Sequence, residues 1–182
     1  MDRLATPDEV LAFWREAGPD RWFTPDEAFD DACRERFLLT HEAAARGDIN
    51  EWELTPDGSL ALVLLLDQFP RNMFRGTKRV YRTDPAAVDV ADRAIEKGFD
   101  TQVEPTLRRF FYLPFMHSEE LRDQDRSVTL NEATGEAELM EWARHHRDII
   151  ARFGRFPHRN AVLGREETAE EERFLQDSAF AG

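Results

Sequence analysis

Leu60-Ala61-Leu62-Val63-Leu64-Leu65-Leu66-Asp67-Gln68-Phe69-Pro70-Arg71-Asn72 opens with seven apolar residues in a row and then turns abruptly polar. An apolar run with no polar face predicts an element surrounded by protein. A second element ends in the same way, at Ile149-Ile150-Ala151-Arg152-Phe153-Gly154-Arg155-Phe156-Pro157-His158-Arg159-Asn160. Two buried elements thus run out into Phe-Pro followed by Arg and Asn. Polar groups at the edge of a core are costly unless paired, so both corners predict a built network or a site.

Working outward, helix-start signals dominate. Thr-Pro-Asp occurs at Thr6, Thr24 and Thr55, and in the first two a Glu stands three residues after the Thr, giving a capping box with Pro in the first turn. Thr83-Asp84-Pro85, Ser118-Glu119-Glu120 and Thr168-Ala169-Glu170-Glu171 are further starts. Gly18, Gly47, Gly98 and Gly154 stand where helices should stop. Phe29, Cys33, Phe37, His41 and Ala44 form one stripe at helical spacing. Leu139, Trp142, Ala143, His146, Ile149, Ile150 and Phe153 form the clearest one. No segment alternates with period two, so no strands are expected.

These signals predict an all-α fold of about eight helices, near 7–17, 25–46, 56–69, 85–97, 105–116, 119–131, 136–153 and 169–176, packed as irregular antiparallel hairpins. Pro114 should kink or end the fifth. Neither a linker nor a fixed repeat is visible. One domain over residues 1–182 is therefore expected, with 178–182 as a loose tail.

Charge narrows the function. Against 24 Lys and Arg stand 37 Asp and Glu, a net charge of -13. That disfavours nucleic acid and anionic membranes as partners. No apolar stretch reaches the ~20 residues that span a bilayer, and no secretory signal is visible. Cys33 is the only cysteine, which excludes an internal disulfide and fits the cytoplasm. The arginines are gathered. Phe69–Arg82 holds five basic residues and no acid, and Arg144–Arg165 holds six arginines against Asp148 alone. An acidic protein that collects arginines around two motifs suits a small anion there; the structural alternative is pairing with the acidic segments.

Several motifs resemble a bacterial family catalogued as domain of unknown function nine hundred and twenty-four. They are Val10-Leu11-Ala12-Phe13-Trp14, the run from Leu64 to Asn72, Phe74-Arg75-Gly76-Thr77, the run from Tyr112 to Leu121, and the run from His146 to Asn160. Leu163-Gly164-Arg165 continues the match. Arg15 and Phe115-Met116 depart from the usual pattern. The resemblance implies an all-helical, tetratricopeptide-like fold and no established activity.

The candidate site follows from the two corners. Arg71 and Arg159 offer planar forks for a carboxylate or phosphate ester, and Asn72 and Asn160 can orient it, with Arg75 and His158 beside them. Asp67, shielded behind the apolar run, is a candidate general base or orienting carboxylate, and its structural alternative is a salt bridge to Arg71, Arg75 or Arg159. His146 on its apolar stripe and His117 at a helix end are the candidate proton carriers. Capping of free helix carbonyls is the structural alternative for the Arg and Asn pairs. No HExxH, Walker, GxGxxG or GxSxG motif is present, so neither metal nor cofactor is expected. Two readings compete. Either the corners meet around a small anion, with or without acid/base chemistry, or they are scaffold and an exposed groove binds a peptide or protein.

Overall fold

The computed structural model describes residues 3–177. The tail expected at 178–182 lies outside them. The described chain is all α, with no strand. The helices are α1 (Pro7–Ala17), α2 (Pro19–Trp22), α3 (Glu27–Arg46), α4 (Pro56–Val63), α5 (Phe69–Met73), α6 (Asp84–Glu96), α7 (Pro105–His117), α8 (Leu121–Thr134), α9 (Ala137–Phe153), α10 (Asn160–Leu163) and α11 (Ala169–Asp177). A π-helical turn, Leu64–Gln68, joins α4 to α5. Short 3-10 turns occupy Asn50–Leu54, Lys78–Tyr81, Phe99–Thr101 and Pro157–Arg159. None of these described helices is long and apolar enough to cross a membrane.

The starts obey their chemistry. Thr6 Oγ1 accepts from the Glu9 N–H while Glu9 Oε2 accepts from the Thr6 N–H, a complete capping box. Thr55 Oγ1 accepts from Gly58 N–H, and Thr168 and Glu171 form a second reciprocal box. At α3 the expected Thr24 box gives way to Asp26, whose carboxylate accepts from Phe29 N–H at 3.1 Å. A charged acceptor caps the positive end of a helix better than a hydroxyl. Gly47 and Gly154 close α3 and α9 in the left-handed conformation that favours glycine.

Two compact units emerge, Met1–Pro114 and Phe115–Gly182. The division falls inside α7 at Pro114, so no linker marks it. In the first unit all seven residues of the run Leu60–Leu66 are buried. Beside them sits an aromatic core in which Trp14 packs on Phe69 (5.3 Å between centroids), Phe110 (5.4 Å) and Trp22 (6.2 Å). Trp22 also donates its indole N–H to the Trp14 carbonyl. Such pairs contribute about 0.5–1.5 kcal/mol each beyond burial. Phe69 of the first corner is thus a core anchor. In the second unit α8 and α9 form a hairpin, and Ile149, Ile150 and Phe156 make a small core against which Phe153 and Phe174 pack.

Candidate functional site

The helix of the first corner does not stop at Pro70; it carries on to Met73. Proline has no N–H, so the Leu66 carbonyl loses its α-spaced donor and the Leu65 carbonyl its π-spaced one. The Phe69 N–H reaches back five residues to the Leu64 carbonyl. The two open acceptors are filled by side chains. His41 Nδ1 lies 2.8 Å from the Leu65 carbonyl, and Thr83 Oγ1 donates to the Leu66 carbonyl at 2.6 Å. A carbonyl only accepts, so His41 carries its proton on Nδ1. Arg71 Nη1 in turn donates to the Asp67 carbonyl.

Asp67 is fully buried. Its carboxylate accepts from Gln68 Nε2 and pairs with Arg71 at 3.3 Å. Arg71 also forks onto Asp84, with Nη1 at 3.0 Å and Nη2 at 3.2 Å. Burial works to lower the Arg71 pKa, but Asp67 and Asp84 outweigh it, so the guanidinium stays charged. Asn72 Nδ2 and Arg75 meet on Asp30, the first at 2.8 Å and the second through two bonds of 2.8 and 3.0 Å. Every guanidinium of this corner therefore has a carboxylate partner. Asp30, His41, Thr83 and Asp84 are the members that sequence patterns miss. Thr83-Asp84 reads only as a helix start, and Asp30 sits inconspicuously beside Phe29.

The second corner belongs to the second unit. Three successive carbonyls at the end of α7 are capped by side chains from elsewhere. Gln124 Nε2 donates to the Met116 and Ser118 carbonyls at 2.7 Å each, and Arg159 Nη2 donates to the His117 carbonyl at 2.9 Å. Arg159 is buried and lies 4.6 Å over the Phe156 ring. A cation here complements the negative end of a helix. Glu119 turns away from the α8 start to clasp Arg165 through two bonds, and its Oε1 accepts from the Phe156 N–H. Burial favours its neutral form, yet Arg165, that N–H and the Arg159 charge hold its pKa below normal. Glu171 is clasped in the same manner by Arg155. Arg155 and the Thr168 box keep its pKa at about 2.

Histidines gather around Phe156. His146 packs edge-on at 5.6 Å and His158 lies 5.5 Å away. His146 Nδ1 lies 2.8 Å from the Trp142 carbonyl, which fixes the proton on that nitrogen. Burial pushes its pKa down to about 3, and the neighbouring charges of His117, His145 and His158 add to this. His146 is therefore neutral near pH 7. No group of three His, Cys, Asp or Glu side chains among the described residues is placed to hold a metal ion. Asn160 is fully buried, and neither amide atom makes a hydrogen bond of normal geometry. It lies close enough to Glu171 to help lower that pKa.

Of the residues expected to form the site, Asp67, Arg71, Asn72 and Arg75 are thus drawn together in the first unit. His117, His146, His158, Arg159 and Asn160 belong to the second. Glu119, Gln124, Arg155, Arg165 and Glu171 complete that second set; Glu119 and Glu171 lie in segments whose sequence reads only as helix starts.

Comparison with known proteins agrees with the architecture. A solved structure of a protein of unknown function from Agrobacterium tumefaciens matches with a TM-score of 0.91 and 49% identity, over 94% of this chain and 97% of that one. Comparison with curated proteins returned no match. The model of a family described as bacterial proteins of unknown function, DUF924, matches residues 10–179, and the chain belongs to that family.

Proposed function

We propose that the protein binds a small anionic molecule, a carboxylate or a phosphate ester, in the second unit, around Phe156. The observation that carries this reading is the Asn160 amide, which is fully buried, has its NH2 turned toward the Glu171 carboxylate, and has an Oδ1 with no hydrogen-bond partner. An unsatisfied buried amide costs about 1–3 kcal/mol per group, so a bound molecule that supplies partners stabilises the fold. Next to it stand Arg159, whose charge suits an anion, and His158. His117 and His146 come from separate helices and supply proton-carrying groups. A His146 held at a pKa of about 3 is a weak base at neutral pH, so in this reading any acid/base chemistry without a cofactor falls to the other histidines and His146 helps to shape the site. The first corner serves as scaffold in this reading, because Arg71 and Arg75 are already held by carboxylates.

The test is thermal stabilisation by succinate, inorganic phosphate and glycerol phosphate, repeated on Asn160→Leu and His158→Gln. One of the three should raise the melting temperature of the native chain saturably. Asn160→Leu, which removes the unsatisfied amide, should keep the unliganded stability and abolish the shift. No saturable shift at millimolar concentration would remove the proposal. The second reading would then stand: a tetratricopeptide-like module for a peptide or protein, favoured by Trp142, which is 49% exposed on α9.

A further inference from the structure

A cleft of about 470 Å³ opens in the second unit between the end of α9 and α11, lined by Arg152, Glu170, Arg173, Phe174 and Asp177. None of these residues belongs to either Phe-Pro turn or the Arg and Asn that follow it. The volume is in the range of sites that hold a small organic molecule. One wall is aromatic: Phe174 is half-buried and packs on Phe153 at 5.1 Å. The Arg152 guanidinium lies 4.7 Å over the Phe153 ring and 6.0 Å from that of Phe174. Stacking of this kind holds a guanidinium flat with little loss of freedom on binding.

The two arginines differ in what restrains them. Arg152 is paired with Glu170 at 2.8 Å, but both side chains are more than half exposed, so the pair is weak and exchangeable. Arg173 spends only Nε on the Ala169 carbonyl and makes no ion pair among the described residues. Among the described residues the Arg173 fork therefore has no carboxylate partner, although the same helix carries Glu170, Glu171 and Glu172.

We propose that this cleft binds a flat aromatic molecule bearing an anionic group, its ring against Phe174 and its charge on the Arg173 fork, with Arg152 as second contact. The site is independent of the one around Phe156. Asp177 and Glu170 at the rim select against ligands of high negative charge, which favours a single carboxylate or phosphate monoester over a polyphosphate.

Salicylate and adenosine monophosphate are the probes, followed by proton–nitrogen correlation spectra that include the arginine Nε resonances. Saturable shifts at Arg152, Arg173 and Phe174 are expected with at least one probe, and the probe that acts identifies the anion class. Arg173→Gln and Phe174→Leu should each weaken binding tenfold or more while leaving the rest of the spectrum unchanged. Asn160→Leu should leave this binding intact. Absence of saturable shifts with both probes, equal affinity in Arg173→Gln, or loss of binding in Asn160→Leu would each overturn the assignment.

Discussion

The Thr83 hydroxyl donates to the Leu66 carbonyl at 2.6 Å, in place of the N–H that Pro70 lacks. Replacing Thr83 with Val keeps the shape and removes the donor. A buried carbonyl is then left open, at a cost of about 1–3 kcal/mol. Urea denaturation should show a lower midpoint with an unchanged slope. An unaltered midpoint would mean that the π turn re-registers without help.

Arg71 is the cation between two buried carboxylates. Arg71→Met strands Asp67, which is fully buried, and Asp84, whose side chain is only 9% exposed. Breaking one side of such a network typically costs about 3–5 kcal/mol. Arg71→Lys should recover little, since one ammonium cannot reproduce the fork onto Asp84. The double change Asp67→Asn with Arg71→Met should be more stable than Arg71→Met alone, because it removes one of the two stranded charges. Chemical denaturation of the three variants decides this. If Arg71→Met proves as stable as the parent, Arg71 is held for a ligand and not for the fold.

How much of this could be read from residues alone depends on where the partners come from. The apolar run from Leu60 to Leu66 announces its own burial, and Thr6, Thr55 and Thr168 announce their helices, because both signals are local. The helix end expected near residue 69 is also a local inference, and the helix instead runs on through a π turn to Met73. The donors that let the helix continue, His41 and Thr83, arrive from other helices. Asp30, Asp84, Glu119 and Glu171 escape notice for the same reason: a carboxylate that closes a long-range ion pair looks like any surface acid until its arginine is beside it. Arginine-rich corners are visible in sequence; the acids that meet them are not.

Cys33 is fully buried, and burial, with the Asp30 carboxylate nearby, pushes its thiol up to about 12. The thiolate is the reactive form, so native protein at pH 8 should react with a thiol reagent orders of magnitude more slowly than denatured protein. Rapid labelling under native conditions would show that α3 opens readily around Phe29 and Phe37.

His146 makes the second unit sensitive to acid. Its pKa is about 3 in the folded chain, against 6.5 for the unperturbed group. Between those values the unfolded chain binds the proton and the folded chain does not. The stability this site contributes is therefore complete above pH 6.5 and is lost as pH falls toward 3, at a limiting rate of about 1.4 kcal/mol per pH unit. His146→Phe removes the titrating group and keeps a ring against Phe156. Its stability should fall less steeply than the parent's between pH 6.5 and 4.5. Below pH 4.5 the loss of the Glu171 clasp, whose carboxylate titrates near 2, adds a second decline common to both proteins. Proton resonances of His146 should show no titration down to pH 4.5, whereas a midpoint near 6.5 would place the ring in water and cancel the acid sensitivity.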